Sequence, residues 1–561
     1  MGKCRGHVVL YRVRSAVSTP ESFTPEEEAL LTAYFGNIDL PVFVLRNLPE
    51  VVKGALFARY SRSAKSVRRL FLDEFSDSIR EDQTIQTSSS GPGETRADQL
   101  YNKVFNQYGD DSVAQLGGAH IACEGVSNVL TKILERGRLM SYLEQSTRYV
   151  PYTARPDGKW KYVIPTELTE NTDLTRYSQV LDRAFETYTR WIEPLQRYFT
   201  ERFPRSESDS EAVYKAVIRA KALDSLRGLL PAATRSNVGL YGSGQAYEML
   251  LLRMRSHPLS ETREIADLML PELRKVIPAF LQRVDRADRG VLWSNYLASR
   301  NEQIRALSES ITNDVTDTSG NAVTLTDFDP DGEVKVVAAA LYQSSRLSHS
   351  RLMSLARGMS TEERLNVLQT YLGNRRNRRH RPSRAFEHAT YNFDVLSDYG
   401  AFRDLQRHRM LTLEWQDLNS LHGYTRPAAI EDVGAHKHWN EVMDDSAKLS
   451  ERLETRYSPL VAQYAVSMAY HIRFYLRMNA REAMHIIELR TAPQGHPAYR
   501  IVCQQMHRLI ADQAGHKAIA EAMTYVDHSD VELARLESER TSERRRQQSK
   551  SSGPQQDDND R

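Results

Sequence analysis

"ERGRLMSYLEQSTRYVPY" occupies Glu135 to Tyr152, and "QRHRMLTLEWQDLNSLHGY" occupies Gln406 to Tyr424. Both open on an Arg-x-Arg pair. Arg136 and Arg138 each have a counterpart 271 residues later, at Arg407 and Arg409. The first copy continues into a Glu-Gln-Ser-Thr-Arg-Tyr run. The second keeps the opening, with His408 between its arginines, and replaces that run. A chain that writes one opening twice and completes it differently each time points to an internal repeat.

A second echo keeps the same order. "ALFARYSRSAKSVRRL" (Ala55 to Leu70) is similar to "ALYQSSRLSHSRLMSL" (Ala340 to Leu355). A chance likeness between Arg-rich helices would not preserve order along the chain. Length agrees, because 561 residues exceed what one ordinary core supports. The turn-rich "TNDVTDTSGNA" (Thr312 to Ala322) is the natural boundary. It separates an N-terminal domain, 1–315, from a C-terminal domain, 320–535. The polar, unperiodic stretch from Glu81 to Gln99 is expected to be a mobile insertion, and the charged tail, 536–561, to be disordered.

Helical spacing dominates. "EEEALLTAYFG" (Glu26 to Gly36), "RYSQVLDRAFETYTRWIEPLQRYF" (Arg176 to Phe199) and "SHSRLMSLARGM" (Ser348 to Met359) place apolar residues three and four apart. Strand-like pieces are few: "HVVLYRV" (His7 to Val13), "KWKYVIP" (Lys159 to Pro165), "NAVTLTDF" (Asn321 to Phe328) and "EVKVVAAALY" (Glu333 to Tyr342). The expected class is α+β: two tandem domains, mostly helical with a small mixed sheet in each half, forming a pseudo-dimer.

Hydrophobic residues at 40% and charged residues at 26% describe a soluble globular chain. Lys+Arg 75 against Asp+Glu 73 leaves only +2, which gives no electrostatic case for a nucleic-acid coat or a membrane binder. No apolar run approaches the roughly 18 residues of a spanning helix, and "MGKCRGHVVLYRV" is too short-cored for a secretory signal. Cys4, Cys123 and Cys503 lie far apart with no metal-ligand spacing. A reduced, cytoplasmic protein is expected. The basic run "NRRNRRHRPSR" (Asn374 to Arg384) has three readings. In order of preference they are a solvated loop, a cofactor-phosphate or folate-tail contact, and a nucleic-acid contact, which no aromatic stacking motif accompanies.

Arg136 to Tyr149 closely resembles the R-H-R-x-x-S-x-N-E-x-S-x-R-Y signature of the flavin-dependent thymidylate synthases, the ThyX family. Arg136, Arg138, Ser141, Glu144, Ser146, Arg148 and Tyr149 match. Gly137 replaces His and Leu143 replaces Asn. The second copy restores Arg407-His408-Arg409 but then departs at Thr412, Glu414, Trp415, Asp417, Asn419 and Ser420. It carries the family's F-E-H in "AFEHA" (Ala385 to Ala389). "NAREAMHIIELR" (Asn479 to Arg490) resembles the N-A-R-S-L-M-N-F-L-x-L-R helix. The first half instead keeps Arg-x-x-Leu-Pro in "LRGLLP" (Leu226 to Pro231), with Gly242 and Gly244 where the later Asn and Arg would stand. In the second half Gln463 stands where that Leu-Pro arginine would be.

In that family the active site lies between subunits, so the resemblance implies a division of labour between the halves. Glu144, Gln145, Ser146, Thr147, Arg148 and Arg227 would hold the nucleotide phosphate and sugar, where arginine forks make paired charge-assisted hydrogen bonds. Leu489 and Arg490 would meet the uracil edge, with Arg490 polarising a ring carbonyl. Arg490, Ser146 and Arg148 form the expected catalytic set. The cofactor side would take Ser61, Glu387, Arg407, His408, Arg409, Asn479, Arg481 and His485. Asn479 and Arg490, eleven residues apart, are expected on one helix face, with Arg481 and His485 on a neighbouring strip.

The implied reaction is reductive methylation of dUMP to dTMP, using FAD, NADPH and 5,10-methylenetetrahydrofolate, with no metal and no cysteine nucleophile. UMP or another pyrimidine nucleotide, or a non-catalytic nucleotide- or flavin-binding homologue, are the alternatives. ThyX proteins are homotetramers, so two fused pairs imply a homodimer with two working sites and two dead ones. Local readings compete with this. Glu144 and Arg148 are spaced for a surface ion pair, and Gly137 for a helix stop.

Overall fold

The computed structural model describes residues 22–39, 43–48, 50, 52–53, 56–57, 65–74, 76, 115–207, 209–315 and 320–529. Ser61, the strand expected at His7 to Val13, the insertion 81–99 and the tail 536–561 lie outside them. Two compact units form. One comprises Met1–His120, Tyr241–Leu252 and Asp267–Trp293. The other comprises Ile121–Leu240, Arg253–Ala266 and Ser294–Arg561.

In the first unit, α1 (Pro25–Tyr34) starts on a capping box of Thr24 and Glu27. It packs Tyr34 against Phe71 of α2 (Val67–Glu74), ring centroids 5.2 Å apart. All the expected site residues that the structure describes lie in the second unit.

Along the chain the elements run β1 (Gly118–Ser127), α3 (Asn128–Leu134), β2 (Met140–Glu144), α4 (Asn171–Arg202), α5 (Glu211–Leu226), a 3-10 turn (Arg227–Leu229), β3 (Arg235–Ser243), α6 (Gly244–Arg255) and α7 (Ser260–Arg274). After α8 (Gly290–Thr312), β4 (Val323–Phe328), α9 (Gly332–Tyr342), α10 (His349–Gly358) and α11 (Thr361–Leu372), the same order returns. It reads β5 (Thr390–Asp398), α12 (Tyr399–Leu405), β6 (Thr412–Trp415), α13 (His436–Arg456), a short helix Pro459–Ala462, a 3-10 turn (Gln463–Ala465), β7 (His471–Asn479), α14 (Ala480–Arg490) and α15 (Pro497–Asp512).

The strands form where alternate residues are apolar. Tyr391, Phe393 and Val395 of β5 and Ile472, Phe474, Leu476 and Met478 of β7 all point into the core. The sheets have strand orders β1-β3-β2 and β4-β5-β7-β6. A mixed sheet was expected, but the pairings in the four-stranded sheet are antiparallel throughout. Each helical excursion between paired neighbours brings the chain back to the end of the sheet it left, which fixes the opposite direction.

"EVKVVAAALY" is helical in α9 rather than extended. A short apolar run carries no periodicity that separates the two states, and its three alanines favour helix. "KWKYVIP" makes a single bridge, Tyr162 to Thr234, and no strand. The expected helices stand. α4 buries Tyr177, Val180, Leu181, Ala184, Phe185 and Tyr188, a helical stripe that packs on α5 and α13.

The two copies of this order meet around a reciprocal backbone pairing. Ala232 N–H donates to the Val466 carbonyl at 2.8 Å, and Met468 N–H donates to the Leu230 carbonyl at 2.9 Å, flanking a Pro231–Ser467 bridge. Ala233 N–H reaches Tyr464 O, and Ala469 N–H reaches Gly228 O. Each of these bonds is answered by one between the residues 236 positions along, so the pairing is reciprocal in sequence.

Candidate active site

β2 ends at Glu144, and the chain turns through Gln145 to Arg148 against β3. Gln145 N–H donates to Asn237 O at 2.8 Å, and Ser146 Oγ accepts from Arg148 N at 3.3 Å. Thr147 is buried. This turn aims Arg148 away from Glu144, so the two do not form the local ion pair their spacing allows. Arg148 meets Asp404 of α12, Nη2 to Oδ2 at 3.0 Å, and Asp224 of α5, Nε to Oδ1 at 3.3 Å. Arg227, in the 3-10 turn after α5, reaches the same Asp224 at 3.4 Å and Asp404 at 4.0 Å. Arg490, the last residue of α14, adds Nη1 to Asp404 Oδ1 at 3.4 Å. The Tyr499 ring lies 5.5 Å from the Arg148 guanidinium carbon and 5.3 Å from that of Arg490. Arginines distant in sequence therefore converge on two aspartates over one aromatic ring.

Buried cations and carboxyls in this cluster set each other's charge state. Burial alone would raise both aspartate pKa values, but the surrounding cations outweigh it and hold both carboxyls ionised, below their ordinary values. His496 sits 3.7 Å from Asp224. Burial, with Arg227 and Arg148 nearby, pushes it down to about 3, so it is neutral. Three guanidiniums thus face two carboxylates, with the carboxyl of Asp398, raised by burial, beside Arg227. The Arg227 Nη2 is buried and has no hydrogen-bond partner among the described residues.

Glu144 lies one layer deeper. Its side chain is fully buried and takes Arg403 at 2.7 Å, Arg407 at 2.8 Å and Lys132 at 3.2 Å. Arg407 is thereby anchored to the first copy's motif. Arg409 donates to the Met140 carbonyl and to Ser141 Oγ at 3.4 Å, while Arg138 donates to Thr412 Oγ1 at 3.0 Å. Arg138 and Arg409 are counterparts, as are Ser141 and Thr412, so this contact too is reciprocal. Gly137 makes room for the Tyr142 hydroxyl, which donates to its carbonyl at 2.5 Å. A Cβ there would meet that oxygen at 2.7 Å. Gly137 therefore serves the packing of β2, since α3 has already ended at Leu134.

The remaining expected residues spread along α14. Asn479 caps it from just outside the helical residues, its Oδ1 accepting from Glu482 N at 2.9 Å, while Arg490 ends it. Arg481 donates to Pro382 O at 2.9 Å and pairs with Glu387 at 3.5 Å. His408 and His485 approach edge to face, ring centroids 5.1 Å apart. Leu489 is half-buried. In the basic run, Arg375 is claimed by Glu488 at 2.6 Å, whereas Arg384 is 84% exposed. A cleft of about 130 Å³ opens where the two Arg-x-Arg segments meet, lined by Arg136, Arg138, His408, Arg409, Thr412 and Trp415 among others.

Sequence reasoning missed Asp224, Asp404, Glu482, His496 and Tyr499. The one available signal was an acidic residue inside an otherwise apolar helix stripe, as at Asp404 beside Phe402 and Leu405. Cys123 and Cys503 are buried, and burial pushes their thiols up to about 11 and about 12. Among the described residues, no cysteine has thiolate character.

A family model described as thymidylate synthase complementing protein matches two segments of the chain, residues 55–279 and 324–514. A UPF0159 protein of Chlamydia pneumoniae is 36% identical over 523 residues, 92% of this chain and 98% of that protein. A flavin-dependent thymidylate synthase of Clostridium tetani is 28% identical over 189 residues, 32% of this chain and 70% of that one. A solved UMP/dUMP methylase from Streptomyces cacaoi, bound with 5-Br dUMP, aligns at 18% identity over 36% of this chain and 94% of its own, with a TM-score of 0.28.

Proposed function

Because the chain belongs to the family of thymidylate synthase complementing proteins, we propose that it is a flavin-dependent methylase that converts dUMP to dTMP at one composite site per chain. The carrying observation is the convergence of Arg148 and Arg227 from the first copy with Arg490 from the second on Asp404. A nucleotide monophosphate would displace the aspartates as the anion facing these forks, with the Ser146 hydroxyl as a further donor. Arg490 would sit against the pyrimidine and stabilise charge on a ring carbonyl, while the Tyr499 ring backs both Arg148 and Arg490. The two matched segments and the reciprocal pairing support a fused pseudo-dimer of two related domains.

The donor set fits a flavin dinucleotide. Arg409 and Arg481 are cations of the cofactor side, the buried Arg407 Nε has no hydrogen-bond partner among the described residues, and the half-buried His485 adds an imidazole. When bound, FAD would carry the reducing equivalents, which NADPH would supply, and 5,10-methylenetetrahydrofolate would supply the carbon. The chain's own part is to orient the pyrimidine and neutralise its phosphate.

The second site that a symmetric pair would form has lost the arginines that would face a phosphate. Trp415, Asp417, Asn419 and Gln463 stand for Glu144, Ser146, Arg148 and Arg227. Intramolecular pairs fill that region, Arg136 with Glu414 at 2.5 Å and Arg305 with Asp417 at 2.8 Å. The proposed assembly is a homodimer. α8 leaves Tyr296, Ile304, Leu307 and Ile311 each more than half exposed. Their three- and four-residue spacing makes a stripe that a second copy covers when the helices run antiparallel, Ile304 against Leu307.

Purified protein is expected to show a flavin absorbance spectrum and to make dTMP from dUMP with the two cosubstrates, with UMP as the comparison substrate. A colourless protein that cannot be reconstituted with FAD overturns the reading. Arg148→Ala and Arg490→Ala are each expected to weaken dUMP binding about 10- to 100-fold, the range of a lost charged hydrogen bond.

A further inference from the structure

α14 begins with two acid–base side chains where the family motif N-A-R-S-L-M-N has Ser and Asn: Glu482 and His485. They are three residues apart, so they share a helix face, and Asn479 pins the Glu482 amide at the helix start. The Glu482 carboxylate, 8% exposed, lies 3.3 Å from Nδ1 of His485 and 3.3 Å from Nδ1 of His408. On its other side, His408 Nε2 lies 3.0 Å from Nε of Arg490. A carboxylate, an imidazole and the guanidinium of the expected catalytic arginine are thus joined in one chain of hydrogen bonds.

Proton positions in this chain follow from chemistry. The Arg490 Nε always carries hydrogen and only donates. His408 Nε2 must therefore be bare, which leaves the single imidazole proton on Nδ1, directed at Glu482. Burial pushes the His408 pKa down to about 4, so the ring is neutral. Burial would raise Glu482, but hydrogen bonds from His408 and His485 outweigh it and bring it to about 2, so it is a carboxylate. Every donor meets an acceptor. The opposite tautomer would set Nε2–H against Nε–H and turn the guanidinium off Asp404.

The same three residues have the make-up of a two-histidine, one-carboxylate metal site, their ligand atoms within 4.8 Å of one another. A metal on His408 Nδ1 would move the ring proton to Nε2, where Arg490 already donates. The two arrangements exclude each other, and the hydrogen bond from Arg490 decides for the first.

We propose that Glu482 is a positioning residue: it fixes the His408 tautomer so that His408 accepts from Arg490 and aims the Arg490 guanidinium at the nucleotide. The last step rests on the reading of Arg490 as a nucleotide contact. The test is imidazole ¹⁵N NMR on the full-length protein, together with calorimetric titration of dUMP, for the wild type, Glu482→Gln and Glu482→Asp. Expected are a His408 protonated on Nδ1 in the wild type, mixed tautomers in Glu482→Gln with dUMP binding about tenfold weaker, and recovery of most of both in Glu482→Asp.

Three results overturn the proposal: an Nε2-protonated His408 in the wild type, a changed tautomer with unchanged affinity, or one equivalent of divalent metal that Glu482→Gln loses. A wild type that binds no dUMP sinks the functional reading and the aiming of Arg490 at a nucleotide with it, while the NMR still decides the tautomer lock. The wild-type spectrum alone decides that lock if Glu482→Gln fails to fold.

Discussion

The Glu144 carboxylate shows how one residue answers to two kinds of reasoning. Its place in the Glu-x-Ser-x-Arg run was legible, and the resemblance assigned it to the nucleotide. Its neighbours were not, because Lys132, Arg403 and Arg407 come from segments up to 263 residues away. Removing the carboxylate leaves buried cations without a counter-charge. Glu144→Gln is therefore expected to cost about 3–5 kcal/mol in denaturant unfolding at pH 7. Burial would raise this carboxyl, but Arg403, Lys132 and Arg407 hold it far below its ordinary value. A depressed folded-state pKa contributes stability above the unfolded value of about 4.3, and that stability is lost as pH falls below it. The wild type should lose stability more steeply than Glu144→Gln below about pH 4, measured as unfolding midpoint against pH. Asp404 escaped sequence reading because Arg148, Arg227 and Arg490 lie far from it along the chain, and Asp224 showed only its i, i+3 neighbour Arg227.

Elements were legible where a period was long. α4 and α1 follow from apolar spacing alone, whereas β5 and β7 carry the alternation of a half-buried strand and were not among the expected strands. α9 was not legible, since its short Val/Ala run fits either state until its neighbours choose. Glycines gave a similar lesson. At the start of α12, a Cβ on Gly400 would lie 2.9 Å from the Arg227 guanidinium and from Asp398. Both the buried Arg227 tip and Asp398 Oδ1, which caps α12 by accepting from Ala401 N, must shift, so Gly400→Ala should fold at a cost of about 1–2 kcal/mol. It should also bind dUMP about tenfold more weakly, because Arg227 no longer reaches the site. Calorimetry beside thermal melting separates these two effects.

Across the whole molecule the charge inventory predicts one nucleotide per chain. Titration of dUMP should reach a stoichiometry of one, because the second copy of the phosphate motif carries Trp415, Asp417 and Asn419. Two equivalents would mean the altered copy still binds. In solution the chain should run at twice its own mass, and Ile304→Asp with Leu307→Asp should return it to one, read by light scattering. The sequence by itself showed that two stretches share one Arg-x-Arg opening, that each continues it differently, and that most of the chain is helical. Those properties rest on local spacing and on residue identity, which a string preserves. Only the tertiary structure decided which charges meet. Arg148, Arg227 and Arg490 share Asp404, and Glu482 reaches Arg490 through His408, because the two copies are paired around Pro231 and Ser467. Coulomb and hydrogen-bond energies depend on distance through space, and separation along the chain does not encode that distance.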